Sequence, residues 1–262
     1  MKKWLITKTA KRSVWIAACL FTVATQAAEV PAVLQWSQRV ELSPPVSGVV
    51  QAVNVAVGER VRQGQVLLRL DERIYAGRVD EAAAMVARNK EDAAEAQRDL
   101  KRVQELYDRT VISISELDQA KLRQARAAAQ LKESQARQRQ AQKNREDTLL
   151  RAPFDAVVVA RLVEPGQAVA ATLQPQSLLV VARAGEMLAR AQVLETQLAG
   201  LKVGQEVEVN VGKQRFHGKV RTLGLEPTTR DKSGLPLYPL DVIFVPAETQ
   251  LRAGAAAILN LP

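Results

Sequence analysis

The most regular pattern of apolar and polar residues in the chain is a heptad repeat between Ile74 and Thr148. This stretch contains no proline, and its one glycine, Gly77, stands near its start. Small or apolar residues recur every seven positions along one line, at Val79, Val86, Ala93, Leu100 and Tyr107. A second line three positions on holds Ala82, Ala96 and Val103 and is interrupted by Asn89. This pattern predicts a long helix that packs against a partner helix.

The partner helix is predicted to follow directly in the sequence. After the segment 108–113 the seam resumes, at Leu117, Ala120, Ala127, Leu131, Ser134 and Ala141. Ser113 with Glu116, and Ser115 with Asp118, both match a capping box at the start of a second helix. We therefore predict an antiparallel hairpin with arms of about 33 residues, roughly 50 Å long. A single solvated helix is the alternative, and the turn signal at the centre argues against it.

Charge favours the pairing of the two arms. Residues 74–108 carry 6 Lys or Arg and 8 Asp or Glu, whereas residues 119–145 carry 8 Lys or Arg and only Glu133 as an acid. An acidic arm attracts a basic one, although each exposed ion pair contributes only tenths of a kcal/mol.

Two similar β-rich segments flank the hairpin. Ser43-Pro-Pro-Val-Ser-Gly-Val-Val aligns with Arg151-Ala-Pro-Phe-Asp-Ala-Val-Val, and Gly58 and Gly166 then stand at the same offset in the two copies. Val61 and Val169 lie three residues further on. Each copy is too short to bury a core alone, so we predict that residues 43–73 and 149–183 fold as one split β-sandwich with the hairpin, residues 74–148, inserted. Chance similarity is the alternative.

The remaining segments read as strands. Residues 28–42 are predicted to form an N-terminal lead-in strand. Residues 184–262 contain five alternating stretches and one short helix near Glu195 to Leu201, which together predict a small β-barrel. These stretches are 188–193, 206–211, 216–225, 238–245 and 255–261.

Residues 1–27 have the pattern of a cleavable export signal. A positively charged start precedes the largely apolar run Val14 to Val23, and Thr25-Gln-Ala27 provides small residues for cleavage after Ala27 or Ala28. Lipoprotein processing at Cys19 and an uncleaved anchor are the alternatives. Cleavage would leave a soluble exported protein. Cys19 is the single cysteine, so no internal disulfide can form.

Composition excludes some classes of function. The net charge is +9, but residues 1–27 contribute five positive charges and no acid, and the predicted hairpin is nearly balanced, with 15 basic and 13 acidic residues. This balance argues against a nucleic-acid binder. The single histidine, His217, and the three methionines, Met1, Met85 and Met187, do not form a metal-ligand pattern.

The arrangement of these segments resembles the periplasmic adaptor family, the membrane fusion proteins of the haemolysin-secretion type. The residues that carry the resemblance are Val46-Ser-Gly-Val-Val, the run from Val57 to Leu68, Arg151-Ala-Pro-Phe-Asp, Val163-Glu-Pro-Gly-Gln and Leu251-Arg-Ala-Gly254. The resemblance implies an elongated mixed α and β multidomain protein, with a coiled-coil hairpin inserted in a split lipoyl-like β-sandwich and a β-barrel after it.

The resemblance also implies a function, and a location in the periplasm in association with the inner membrane. Members are non-enzymatic subunits of tripartite efflux or secretion systems, so we expect no catalytic residue, cofactor or metal site. The expected partners are an inner-membrane transporter, of the RND rather than the ABC type, a TolC-like outer-membrane channel, and further copies of the chain in a ring. No Met-Lys-Met carrier motif occurs. The alternative is a coiled-coil envelope scaffold or ligand-binding module outside transport.

One motif of the family transfers residue by residue. Family hairpin tips resemble Arg-x3-Leu-x6-Ser, and Arg102, Leu106 and Ser113 match this spacing. The resemblance implies that these residues bind the outer-membrane channel. Each also has a structural alternative, because Arg102 can be an exposed helix residue, Leu106 can close the coiled coil, and Ser113 can cap the second helix.

One departure from the family concerns its fourth domain, which lies next to the membrane and is built from both chain termini. Only about 15 residues separate the predicted cleavage site from the first β half. We therefore expect this domain to be missing or vestigial.

Overall fold

The computed structural model describes residues 28–171, 176–246 and 251–262. The predicted signal segment, with Cys19, lies outside these residues. In chain order, the described elements are β1 (Ala28–Trp36), β2 (Arg39–Leu42), β3 (Gly48–Val53), β4 (Arg60–Val61), β5 (Val66–Leu70), α1 (Arg73–Asp108), α2 (Ile114–Glu146), β6 (Leu149–Arg151), β7 (Ala156–Arg161), β8 (Ala168–Val169), β9 (Leu179–Arg183), β10 (Met187–Leu194), α3 (Glu195–Leu198), β11 (Glu206–Val211), β12 (Gln214–Leu223), β13 (Thr229–Arg230), β14 (Pro236–Phe244) and β15 (Ala256–Leu261).

Helices α1 and α2 form the antiparallel hairpin that the heptad pattern predicts. With 36 residues, α1 is about 54 Å long. The seam between the helices buries Leu117, Ala120 and Ser134 of α2. Asn89, which interrupts the pattern, is buried in the same seam and donates a hydrogen bond from Nδ2 to the Gln130 carbonyl of α2 at 3.3 Å. A small-residue seam lets the helices approach closely, and this polar contact fixes which residues face each other.

The charge difference between the arms contributes little to their pairing. In the described chain, two ion pairs join the arms, namely Asp99 of α1 with Arg123 of α2 at 3.0 Å, and Glu72, the residue before α1, with Arg145 of α2 at 3.1 Å. The side chains of both pairs are partly solvent-exposed, so each pair contributes only tenths of a kcal/mol. Packing along the seam therefore holds the hairpin together.

The two segments that flank the hairpin form one β-sandwich, as the internal repeat predicts. One sheet has the order β2-β9-β7-β4 and the other β6-β5-β3-β8. Each sheet thus combines strands from before and after the hairpin. Their inward side chains form a single core, which includes Val50, Leu68, Val158, Leu179 and Val181.

The two halves are related by reciprocal hydrogen bonds. The N–H of Gly58 donates to the Val158 carbonyl at 2.8 Å, and the N–H of Gly166 donates to the Val50 carbonyl at 2.8 Å. Both glycines have positive φ, of 88° and 90°. The turn that each glycine forms in one half therefore closes on the strand of the other half, so neither half is complete alone.

The second β unit is a six-stranded barrel with the order β10-β1-β15-β11-β12-β14, which the pairing of β10 with β14 closes. Its core includes Leu34, Val209, Leu240 and Leu259, all fully buried. The structure divides the predicted lead-in segment between the two units, because β1 is a barrel strand and β2 pairs with β9 of the sandwich. The short strand β13 pairs with β14 beside the barrel.

Two short connections join the sandwich to the barrel. One leads from β1 to β2 through Ser37 and Gln38, and the other leads from β9 to β10. Arg183 ties them together, because its N–H donates to the Gln38 carbonyl at 2.9 Å and its guanidinium donates to Gln38 Oε1 at 2.9 and 3.0 Å. The junction is therefore a pair of adjacent, hydrogen-bonded connections.

We predict that Gly58→Ala and Gly166→Ala destabilise the protein by similar amounts. Each adds a Cβ to a residue with positive φ, which costs about 1–2 kcal/mol. Urea unfolding followed by circular dichroism measures the effect. Gly77→Ala in α1 is the matched control, and it should be stabilising by about 0.5–1 kcal/mol because alanine favours a helix. A large loss at one turn and none at the other would contradict the reciprocal arrangement.

Candidate functional site: the hairpin tip

The tip of the hairpin is a tight loop between Asp108 and Ile114. Thr110 has φ of 60°, and its N–H donates to the Tyr107 carbonyl at 2.8 Å. The next N–H, of Val111, donates to the Leu106 carbonyl at 3.0 Å. These bonds use carbonyls that the end of α1 would leave unpaired, and they turn the chain back sharply.

Ser113 begins α2 as its N-cap. Its Oγ accepts a hydrogen bond from the Glu116 N–H at 3.3 Å, and its own N–H donates to Glu116 Oε2 at 2.9 Å. The Ser113 hydroxyl also donates to Glu116 Oε2 at 3.0 Å. These bonds lower the pKa of Glu116, with the backbone bond from Ser113 the larger cause. The structure therefore uses the first of the two capping boxes and leaves Ser115 at the surface.

Arg102 lies two turns from the end of α1, with its side chain 74% exposed. It binds Asp99 of its own helix at 2.5 Å, and Asp99 also binds Arg123 of α2. Hydrogen bonds from Arg123 and then Arg102 hold the pKa of Asp99 below its ordinary value. An open groove of about 620 Å³ runs beside these three residues. The guanidinium of Arg102 is thus oriented at the surface and has donors left for a partner.

Leu106 is half-buried one turn beyond Arg102. Arg102, Leu106 and Ser113 therefore all lie within about two turns of the loop. No hydrogen bond among the described residues joins these three side chains to each other.

Two tip residues that the motif omits have the largest exposed apolar side chains of the loop. Val111 is 66% exposed and Ile114 is 54% exposed. Large apolar side chains at a projecting end favour contact with another protein. The sequence contained an indication of these residues, because the segment 110–114, Thr-Val-Ile-Ser-Ile, has three apolar residues, which is unusual for a turn.

Among the residues that the structure describes, no group of His, Cys, Asp or Glu is placed to hold a metal ion. No described helix is long and apolar enough to cross a membrane.

Comparison with known families identifies the fold. A family model described as the CzcB-like barrel-sandwich hybrid domain matches residues 38–183, which is more than half of the chain. The chain belongs to this family of membrane fusion proteins. The resemblance drawn from the sequence is therefore confirmed, as is the predicted fold class.

Individual proteins with similar sequences include macrolide export proteins. The macrolide export protein MacA of Escherichia coli O157:H7 is 30% identical over 201 residues, which cover 70% of this chain and 54% of that protein. The chain thus spans about half the length of the curated relatives that it matches. The match to MacA of Shigella flexneri has the same extent.

Solved structures show the same fold at low sequence identity. The membrane fusion protein Spr0693 from Streptococcus pneumoniae R6 has a TM-score of 0.71 at 16% identity, covering 90% of this chain and 99% of that one. A MacA-MexA chimera with the Pseudomonas aeruginosa MexA α-hairpin domain has a TM-score of 0.67 at 22% identity, covering 90% and 79%.

We predict that Ser113→Ala destabilises α2 by about 1 kcal/mol, because it removes the side chain that accepts from the first turn. Ser113→Thr keeps an accepting hydroxyl and should lose much less. Ser115→Ala is the matched control, since Ser115 does not cap the helix. Thermal unfolding followed at a helical circular dichroism band measures all three. Equal losses at Ser113 and Ser115 would show that the capping box is not the one described.

The contribution of Glu116 to stability should depend on pH in a defined direction. Its pKa is lowered from 4.5 in the folded protein, so its stabilisation is complete above about pH 5. The stabilisation is lost as pH falls through the folded pKa, because protonation removes the charge that accepts from Ser113. The difference in melting temperature between the wild type and Glu116→Gln should therefore be constant from pH 5.5 to 7.5 and shrink as the pH falls below 4.5 and through the folded pKa. A difference that persists unchanged at pH 3 would contradict this assignment.

Proposed function

We propose that this chain is the periplasmic adaptor subunit of a tripartite efflux or secretion system. In this role it connects an inner-membrane transporter to a TolC-like outer-membrane channel through the tip of the α1–α2 hairpin. Several copies act together as a ring. The transporter that we expect is of the RND type, and the adaptor itself performs no catalysis.

One observation carries this proposal, the exposure of large apolar side chains at the end of a long projecting hairpin. Val111 and Ile114 face solvent about 50 Å from the β-sandwich, since α1 rises 1.5 Å per residue. A hairpin that served only the stability of the protein would gain nothing from apolar side chains at that point. The cost of exposing them is offset if a partner covers them.

Arg102 adds directional hydrogen-bond donors to the same surface. Its exposed guanidinium can donate paired hydrogen bonds to a carboxylate or to backbone carbonyls of the channel. Leu106 and the apolar side chains at positions 111 and 114 would fill grooves beside that contact. Ser113 contributes indirectly, because its cap fixes the loop that presents them.

Membership of the family and the name of one relative support a role in export, as opposed to uptake. The relative from Escherichia coli O157:H7 is named for macrolide export. We therefore propose export as the role of this chain, with its own substrate to be identified by the transport assay below.

We predict that Arg102→Ala reduces export at least severalfold while the fold is retained. Arg137→Ala in the last third of α2, away from the tip, is the matched control, because Arg137 and Arg102 are both well exposed and each pairs with an acid of its own helix. Efflux is measured in the native host, with a deletion strain complemented by each variant. Circular dichroism and expression level show that the variants fold.

A photo-crosslinker at position 111 tests the contact directly. It should join the adaptor to the outer-membrane channel, and Arg102→Ala should reduce the yield whereas Arg137→Ala should not. Full export by Arg102→Ala, together with no channel crosslink from position 111, would remove the tip from the mechanism. Loss of export with crosslinking intact would instead place the role of Arg102 elsewhere.

A further inference from the structure

A cleft of about 520 Å³ lies at the junction of the β-sandwich and the β-barrel. It is remote from the hairpin tip, at the opposite end of the sandwich from the helices. Its walls come from both units, since Val57 and Val157 belong to the sandwich while Met187 and Leu251 belong to the barrel side. We infer that this cleft binds an amphipathic organic anion, with an apolar body and one carboxylate, sulfonate or phosphate group.

The size and position of the cleft are those of a small-molecule site. Ligand pockets usually have volumes of about 300–1,000 Å³ and often lie between domains. The lining is mainly apolar, and Met187 and Val158 at its base are each only 1% exposed. Trp36, the last residue of β1, contributes an aromatic side chain to the same wall. An apolar ligand body would therefore replace water against preformed apolar surface.

The charged side chains at the rim of the cleft determine which ligand charge is favoured. Arg60 and Arg252 both line the cleft, and Glu186 is the one acid among its described lining residues. Within the described residues none of these three side chains has an ion-pair or hydrogen-bond partner, whereas Arg183 and Arg190 nearby are bonded to Gln38 and Asp241. Two guanidinium groups against one carboxylate leave a net positive rim. A planar guanidinium binds a carboxylate, sulfonate or phosphate well, which makes an anionic head group the complementary one.

Other ligand classes fit less well. A metal ion would need a cluster of carboxylate, imidazole or thiolate ligands, and the described residues hold no such group. A cationic amphiphile would meet two like charges at the rim. A ligand in the cleft would touch both β units beside the two connections that join them, so its binding would restrain their relative orientation.

Fluorescence of Trp36 tests this inference on the full chain. The protein has three tryptophans, so Trp4→Phe and Trp15→Phe leave Trp36 as the single reporter, whether or not residues 1–27 are retained. The probes are dodecanoate and dodecyltrimethylammonium, which have the same twelve-carbon chain and opposite charges, each used below its micelle concentration. Dodecanoate should change Trp36 emission saturably, and the cation should bind at least about tenfold more weakly.

Variants at the rim test the charge argument. Arg60→Gln and Arg252→Gln should each weaken dodecanoate binding about tenfold, since each removes a charged donor. Glu186→Gln should strengthen binding, because it removes the one negative charge among the described residues that line the cleft. Arg62→Gln is the matched control, since Arg62 lies two residues from Arg60 and outside the lining of the cleft. It should leave the affinity unchanged.

Three results would overturn the inference. The first is the absence of a saturable change in Trp36 emission. The second is equal affinity for the anion and the cation, which would mean that only the apolar walls bind. The third is an equal loss of affinity in Arg62→Gln and Arg60→Gln, which would mean that general surface charge attracts the anion. None of these outcomes depends on the tip, so export in the Arg102 experiment can succeed or fail independently.

Discussion

The rest of the structure depends on the mutual completion of two half-domains. Gly58 donates to the strand that contains Val158, and Gly166 donates to the strand that contains Val50. Each half therefore supplies the hydrogen-bond partners that the other lacks, and the two share one core. Because the halves are far apart in sequence, the chain between them must leave and return at neighbouring points. An antiparallel hairpin satisfies this condition, and the sandwich in turn holds the bases of α1 and α2 side by side.

The hairpin converts this local constraint into a long projection. Its base is attached to the sandwich, where the Tyr75 hydroxyl donates to the Ser47 carbonyl at 2.6 Å and Asp71 accepts from Arg73. The bonds from Arg73 lower the pKa of Asp71 to about 2, so this carboxylate stays charged at any physiological pH. Along the seam, small side chains and the contact of Asn89 with Gln130 fix the register. The position of the tip follows from these contacts and needs no strong ion pairs.

The proposed tip surface lies at the far end of the hairpin, whereas the inferred cleft lies on the other side of the sandwich, next to the barrel. The apolar side chains of the tip are exposed to solvent, whereas the cleft forms only where the sandwich and the barrel meet. Both contain apolar surface beside arginine, but the geometry differs. A convex, exposed tip suits a protein groove, and a concave site of about 520 Å³ suits a small molecule. In the proposed role, the chain would contact a channel with the tip and bind a ligand in the cleft, through different parts of its fold.

Periodicity and repetition in the sequence determined the hairpin, the split sandwich and the barrel, because each depends on local patterns that recur at fixed spacing. The Ser113 cap was also readable, as one of two capping boxes, and the structure selects it. The sequence did not assign β1 to the barrel, since a lone alternating strand does not specify its neighbours. It also missed Val111 and Ile114 as exposed tip residues. The cleft could not be foreseen, because Trp36, Arg60 and Arg252 are distant in sequence and only the packing of two units brings them together.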